Sequence, residues 1–299
     1  MANGKRVKPA TDNGSSGSKP QPTAPAKKSL GQNFLTDRGA AQQIVDALGD
    51  ISSKTVLEIG PGRGALTNLL LFRTPHLIAI ELDRVLAAQL RMKYANQPNV
   101  EIIEADVLAV DFSSLLGPRP GSTVTGLTPH APEKIRVVGN IPYYITSDIL
   151  LRLFENHEHF ESIVIMVQKE VADRIVAKAG TSEYGLLSAT CQLYAKVEKL
   201  FTLPPGAFTP PPKVHSSVLR LTIEPRWEKL HVDPQAFINF LKLSFGQKRK
   251  TLLNNLKQRY DQKTVKAALE KAKVAGDVRA EALSLEKAAA VFRSLASVQ

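Results

Sequence analysis

The sequence predicts an α/β fold, a parallel doubly wound sheet followed by a small all-helical unit, and three observations predict it. Short apolar runs (TVLEIG, HLIAIEL, VEIIEADV, IRVVGN) alternate with amphipathic stretches at the spacing of right-handed βαβ units. The first of these runs ends in a glycine-rich turn, Glu58-Ile59-Gly60-Pro61-Gly62-Arg63-Gly64. From about Asp233 the alternation stops and only helical periodicity remains, in FINFLKLSF, LLNNLKQRY, TVKAALEKA and LSLEKAAAVFRSLA.

The elements follow in order. Residues 1–26 hold Gly, Ser and Pro with almost no large apolar side chains, and predict a disordered tail. In AAQQIVDALG, Ile44, Val45 and Leu48 have helical spacing and Gly49 stops the helix. TVLEIG predicts a buried strand and GALTNLLLF the helix after it; HLIAIEL, RVLAAQLRMKYA and VEIIEADV repeat the pattern. GPRPGSTVTGLTPHAPEK, residues 117–134, is rich in turn formers and predicts an exposed loop before the strand IRVVGN. Then come a helix (SDILLRLFE), a strand (SIVIMVQ), a helix (KEVADRIVAK) and two strands, around LLSATCQLYA and SSVLRLTI. The predicted units are 1–26 (tail), 27–228 (α/β domain) and 229–299 (helical domain).

Composition narrows the function classes. Of 299 residues 43% are hydrophobic, enough to bury a core, while 39 Lys and Arg against 28 Asp and Glu leave a formal charge of +11. That balance favours a polyanionic partner, nucleic acid or an acidic membrane surface. No run approaches the roughly 18 apolar residues of a membrane span, and the N-terminus lacks the apolar core of a signal peptide. The single Cys191 excludes an intramolecular disulfide and a cysteine-rich zinc site, and fits a reducing compartment, the cytoplasm. His157 and His159, flanked by Glu155, Glu158 and Glu161, are read as a solvated loop rather than a metal site.

Ligands of doubly wound sheets bind at the carboxyl ends of the strands, so the residues there are the candidates. The glycines of residues 60–64 let backbone approach a ligand closely, although a tight strand-to-helix turn would use them too. Gly60-x-Gly62-x-x-Ala65 also satisfies a dinucleotide fingerprint, and Glu81, ending the second strand, suits the ribose of a dinucleotide or of S-adenosylmethionine equally. Asp106 in EADVL ends the third strand, where a carboxylate can accept a hydrogen bond from the exocyclic amine of a bound adenine. Asn140-Ile141-Pro142-Tyr143 is either a strand-terminating turn or an acceptor site. In the second case the Asn140 side-chain oxygen and a neighbouring backbone carbonyl hold the two hydrogens of an adenine amine, turning its lone pair toward a methyl donor, and Tyr143 stacks on the base. Positioning then carries most of the rate, with no metal required. In Phe208-Thr209-Pro210-Pro211-Pro212-Lys213, polyproline rigidity explains the prolines, while Phe208 could wall a base pocket and Lys213 meet a phosphate.

KKSLGQNFL, VLEIGPGRGALT, AIELDR, EADVL, VVGNIPYYI, FTPPPKVHSS and FGQKRKTLLNNL occur in this order over roughly residues 27–295, and together the chain resembles the ribosomal RNA adenine N6-dimethyltransferase family. The resemblance implies a class I methyltransferase core of Rossmann-like type with a helical C-terminal domain. It implies S-adenosyl-L-methionine as methyl donor and two adjacent adenines in the terminal hairpin of small-subunit ribosomal RNA as target, met in a partly assembled 30S particle by a monomer. By motif, Asn33 and Leu35 close over the cofactor, Gly60 lies beneath it, and Glu81, Asp106 and Asn140 complete its shell. Tyr143 and Phe208 sandwich the target base, and Gln247, Lys248, Arg249 and Lys250 face RNA phosphates, a charge run that a solvated helix face would also explain. The tail and the 117–134 loop depart from the family pattern. A related enzyme acting on large-subunit RNA shares the first motif and NIPY; FTPPPKV followed by FGQKRKTLLNNL favours the small subunit. The other class of answer is a non-enzymatic RNA-binding or assembly factor, against which Glu58, Glu81, Asp106, Asn140 and Tyr143 all stand intact.

Overall fold

The computed structural model describes residues 26–27, 31–116 and 134–296. The tail expected over 1–26 and the loop expected over 117–134 lie outside these, apart from Ala26 and Lys134.

In chain order the elements are β1 (Phe34–Leu35), α1 (Arg38–Asp46), β2 (Thr55–Ile59), α2 (Thr67–Leu70), β3 (His76–Glu81), α3 (Arg84–Lys93), β4 (Val100–Glu104) and α4 (Phe112–Leu116). After the undescribed segment come β5 (Ile135–Asn140), α5 (Thr146–Glu155), β6 (Phe160–Gln168), α6 (Lys169–Val176), α7 (Leu186–Tyr194), β7 (Ala195–Leu203), β8 (Phe208–Thr209) and β9 (Ser216–Ile223). The remainder is helical: α8 (Trp227–Leu230), α9 (Pro234–Ser244), α10 (Leu252–Leu256), α11 (Gln262–Lys271) and α12 (Leu285–Ala296). Side chains at the helix starts satisfy free backbone N–H groups: Asp37, Asp83, Asp233, Thr251 and Asp261 accept from the first turns of α1, α3, α9, α10 and α11.

Among the described residues seven strands form one sheet in the order β4-β3-β2-β5-β6-β9-β7. The first five run parallel; β9 is antiparallel to both β6 and β7. Because the strand order reverses between β2 and β5, the crevice outside their carboxyl ends is the topological switch point. The doubly wound sheet and the helical C-terminal unit expected from the sequence are both present.

Successive side chains of the central strands divide between two apolar clusters, as the two-residue period of a strand requires. Val56, Leu77, Val138 and Val164 point to the side covered by Ile44 and Val45 of α1 and Leu70 of α2. Leu57, Ile78, Val137 and Ile163 point to the side covered by α5 and α7. The second cluster continues without a break into Phe237, Leu241, Leu256, Val265 and Val291 of the C-terminal helices. Among the described residues no helix is long and apolar enough to cross a membrane.

Three expectations are corrected. LLSATCQLY is helix α7, and the edge strand β7 follows it. Buried on nearly every side, α7 shows no polar stripe, and its polar residues tie off the end of α6: Gln192 Nε2 donates to the carbonyls of Ile175 and Ala177 at 3.2 and 2.8 Å. A continuous apolar run of that kind does not distinguish helix from strand. Cys191 lies in this helix, wholly buried, and burial pushes its thiol far up, away from nucleophilic use. GALTNLLLF is helical only over Thr67–Leu70, since Gly64 still belongs to the preceding turn. His157 is not a solvated loop residue: it starts a 3-10 turn and its ring lies 5.5 Å from that of Tyr194 and 5.0 Å from that of Trp227.

The contact between β2 and β5 yields a test. A Cβ on Gly139 would lie 2.7 Å from the Ile59 carbonyl oxygen and 3.2 Å from Ile59 Cβ. Neither backbone can give way without parting the central strands, so Gly139→Ala is expected to lower stability by about 1–3 kcal/mol, the cost of overpacking. Urea unfolding measures it, and an unchanged midpoint would show that the strands can separate freely.

Candidate active site

A cleft of about 800 Å3, part of it open to solvent, lies at the switch point. Gly60 and Gly62 from the turn after β2, Glu81 from the end of β3, Asp106 after β4, and Asn140 and Tyr143 after β5 all line it. Asn33 lines it from above; Leu35 lies beside it, in a smaller recess shared with Gly60 and Asn140. The two turns on which an acceptor and a donor would have to meet therefore face one cavity.

Each carboxylate here is placed by its neighbours. Gly62 takes φ +58°, where an L side chain is strained, and a Cβ there would come within 3.0 Å of the Phe34 ring. In that conformation its N–H donates to Glu81 Oε2 at 2.9 Å, and the Asp83 N–H donates to Oε1 at 2.9 Å. A carboxylate offers about four lone-pair sites, so Glu81 keeps one on each oxygen for two further donors, such as vicinal hydroxyls. Burial raises its pKa, and the two backbone hydrogen bonds oppose the rise. Glu58 is fully buried behind the loop and accepts from Thr67 Oγ1 at 2.7 Å. Burial, helped by the nearby Glu81 charge, pushes its pKa up to about 7 against that hydrogen bond. Asp106 Oδ1 accepts from the Leu108 N–H at 2.9 Å.

On the acceptor side, Asn140 Nδ2 donates to the Asn33 carbonyl at 2.9 Å, which leaves Oδ1 as the amide atom able to receive a hydrogen bond. The Tyr143 hydroxyl is 2.5 Å from Ser216 Oγ, which anchors the ring from β9; burial raises its pKa. Tyr144, 60% exposed, also lines the cleft.

Phe208 is not brought to the cleft. It is 2% exposed, pairs with Leu35 in the short β1–β8 ladder, and packs with Ile44 and Met166. Lys213, Arg249 and Lys250 are exposed; exposed Lys248 donates to the Ser182 carbonyl at 2.9 Å. Among the described residues no cluster of three or more His, Cys, Asp or Glu side chains could hold a metal ion.

Sequence reasoning passed over the contacts that hold the segment above the cleft. Lys27 Nζ and Gln32 Nε2 donate to Asp83 at 2.9 and 3.1 Å, and the Arg63 guanidinium lies 4.3 Å from the centre of the Phe34 ring. No signal in the sequence pairs residues so far apart. Ile80, Leu82, Ala105 and Val107, which give the cleft its apolar wall, were legible only as strand residues.

The Glu58 environment predicts a pH effect. Its folded pKa, about 7, exceeds its ordinary 4.5. Between these values the folded protein binds more protons than the unfolded chain, so this contribution is full below about 4.5 and is lost as pH rises through about 7. Glu58→Gln should flatten the fall in stability between pH 5 and 8 by a few kcal/mol, each pKa unit being worth about 1.4. Urea unfolding at the two pH values checks it; an identical slope in the variant would place the titration elsewhere.

Comparisons with known proteins give a consistent result. Residues 24–297 match the ribosomal RNA adenine dimethylase family. The chain is 61% identical over 272 residues to the ribosomal RNA small subunit methyltransferase A of Koribacter versatilis, covering 91% of this chain and 95% of that protein. With the protein of the same name from Acidobacterium capsulatum it shares 53% over 270 residues, 90% of this chain and 91% of the other. Among solved structures, a dimethyladenosine transferase from Plasmodium falciparum superposes with a TM-score of 0.69 at 27% identity, over 88% of this chain and 95% of that one. The 23S rRNA methyltransferase ErmE gives 0.64 at 28%, over 88% and 100%.

Proposed function

The chain belongs to the ribosomal RNA adenine dimethylase family, and we propose that it transfers methyl groups from S-adenosyl-L-methionine to the N6 atoms of two adjacent adenines in the 3'-terminal hairpin of small-subunit ribosomal RNA. The observation that carries this is the shared cleft: the Gly60–Gly62 turn and the Asn140–Tyr143 turn line it together, with the Asn140 amide fixed by the Asn33 carbonyl. Relatives at 61% and 53% identity carry the small-subunit name, which favours that RNA over the large-subunit target of ErmE.

The cleft suits the cofactor chemically. Glu81 keeps acceptor capacity for two ribose hydroxyls, Asp106 offers a carboxylate to an adenine amine, and the apolar side chains of Ile80 and Val107 flank the space between. Gly60 and Gly62 hold φ of +67° and +58°, a backbone conformation that L side chains rarely adopt, which turns the chain beside the cleft. S-adenosyl-L-methionine, when bound, supplies a methyl group already activated by its sulfonium.

This chain's residues then supply orientation. Asn140 Oδ1 and a neighbouring backbone carbonyl accept from the two hydrogens of the adenine amine, drawing it toward sp3 character and aiming its lone pair. Tyr143, steadied by Ser216, stacks on the base. Phe208 lies apart from the cleft lining, so we assign stacking to Tyr143 and leave Phe208 as the support beneath residues 34–35. Lys248, Arg249 and Lys250 of the helical unit, with Lys213 of the α/β domain, face RNA phosphates. The substrate is a partly assembled small subunit in the cytoplasm, met by a monomer.

Incubating unmethylated small subunits with labelled S-adenosyl-L-methionine and mapping the modified bases tests the assignment; label on large-subunit RNA alone would overturn it. Asn140→Ala should lower transfer by at least about a hundredfold through lost orientation while S-adenosylhomocysteine binding persists. Glu81→Ala should weaken that binding by about tenfold or more, since hydrogen bonds to a charged group are lost. Replacing Arg249 and Lys250 by Gln should reduce the slope of log affinity against log salt by about 0.7–0.9 per phosphate contact removed; an unchanged slope would take them out of the interface.

A further inference from the structure

Asp83 follows the cofactor-gripping Glu81 by two residues, yet it faces away from the cleft and toward the segment above it. It is 3% exposed, and both oxygens of its carboxylate accept hydrogen bonds. Oδ1 accepts from Lys27 Nζ at 2.9 Å and from the Val85 N–H at 3.0 Å; Oδ2 accepts from Gln32 Nε2 at 3.1 Å. The Val85 bond caps α3 and would be sufficient reason for an aspartate here. The other two do something a cap does not need, because they reach across 56 and 51 residues of chain.

Gln32 is the hinge of the arrangement. Its Oε1 accepts from the Lys27 N–H at 2.8 Å while its Nε2 is held by Asp83, so the amide is locked from both ends. The next residue is Asn33, whose carbonyl receives Asn140 Nδ2 at 2.9 Å. One peptide unit therefore separates the Asp83 bond from the bond that decides which way the Asn140 amide points. Beyond Asn33 the segment is fixed again: Phe34 rests on Gly62 under the Arg63 guanidinium, and the Thr36 N–H donates to the Ala207 carbonyl at 2.9 Å. Asp83 is the anchor on the near side of Asn33, and β8 with Ala207 the anchor on the far side.

We propose that Asp83 is a positioning residue for methyl transfer: by holding Gln32 and Lys27 it fixes the Asn33 carbonyl against Asn140, and so keeps Asn140 Oδ1 aimed at the acceptor amine. The inference rests on the methyltransferase assignment above. Without the anchor, Asn140 can rotate its amide and present Nδ2, a donor, to an amine that needs an acceptor. Burial works to raise the Asp83 carboxyl, yet the bonds from Lys27, Gln32 and Val85 outweigh it and hold the group lowered, so it stays ionised and able to accept all three. Asp83 meets Glu81 only through its backbone N–H, while the Gln32 it holds also lines the cleft, so the larger effect falls on the chemical step and a smaller one on cofactor affinity.

The test compares Gln32→Leu, Asp83→Asn and the double variant in the full-length protein. Asp83→Asn keeps an Oδ1 acceptor for the α3 cap and replaces the atom facing Gln32. Five quantities are read: kcat and KM for S-adenosyl-L-methionine on unmethylated small subunits, S-adenosylhomocysteine affinity by calorimetry, amide hydrogen exchange over residues 31–36, and Tm. Each single variant should lower kcat by about tenfold, the scale of one hydrogen bond to a charged group, and speed exchange over 31–36. KM and S-adenosylhomocysteine affinity should change by less than kcat does, and Tm should change little. The double variant should lower kcat by less than the product of the two single losses, because the Gln32–Asp83 bond is lost in both. An unchanged kcat in Gln32→Leu, damage in Asp83→Asn that Gln32→Leu does not reproduce, or a loss expressed wholly in Tm would reduce Asp83 to a helix cap and overturn the proposal. Wild-type protein that neither binds S-adenosylhomocysteine nor methylates would overturn the enzymatic assignment itself, a result visible before any variant is made.

Discussion

The parallel pairing of β2 with β5, closed to backbone contact at Ile59 and Gly139, is the constraint on which the site depends. These neighbours belong to opposite halves of the sheet, so the chain that leaves each of them turns away to a different side. The turn after β2 carries Gly60 and Gly62, and the turn after β5 carries Asn140 and Tyr143. Any widening between the two strands would move one turn relative to the other by the same amount, and orientation catalysis is sensitive to shifts on the order of 1 Å. The two apolar clusters, one on each face, hold this pair flat between α1 on one side and α5 and α7 on the other.

Electrostatics sorts the two buried carboxylates beside the glycine turn, Glu58 of β2 and Glu81 of β3, into different roles. Burial raises the pKa of both; at Glu58 the Glu81 charge adds to the rise against hydrogen bonds from the Thr67 hydroxyl and backbone, while at Glu81 the backbone N–H groups of Asp83 and Gly62 oppose it. A Glu58 that is partly neutral near pH 7 lowers the cost of keeping Glu81 charged at the cleft edge. Thr67 then fixes Glu58 to the first turn of α2, so the group that yields its charge also ties the glycine loop to the helix behind it.

Much of this was legible in the sequence, and the reason is physical. The parallel strands are buried on both faces and read as uninterrupted apolar runs ending on glycine, acid or amide residues, so both the sheet and the positions at its carboxyl edge could be read from the chain. Helix α7 is not legible for the same reason: buried on nearly every side, LLSATCQLY offers no polar stripe to betray its period. His157 looked solvated because its neighbours are acidic, whereas its ring is packed by Tyr194 and Trp227, residues more than thirty positions away. Phe208 has a sequence context suited to a base pocket, yet strand pairing with Leu35 turns it inward. What the sequence withheld was contact between distant residues, which periodicity and motif spacing do not encode.

Such distant contacts also explain how a segment with almost no regular structure can be held over a rigid sheet. Residues 33–36 make two ladder pairs with β8 and a few bonds to Ala207, too little to order a chain alone against its conformational entropy. The side-chain anchors supply the rest: an ion pair of Lys27 with Asp83, a cation–ring contact of Arg63 with Phe34, and a neutral hydrogen bond from the Asn140 amide to a backbone carbonyl. All of them begin on the carboxyl edge of the sheet, within the same few residues that line the cleft. The covering segment is therefore ordered by the site it covers, and the geometry of Asn140 is set jointly by the strand that carries it and by a piece of chain more than a hundred residues earlier.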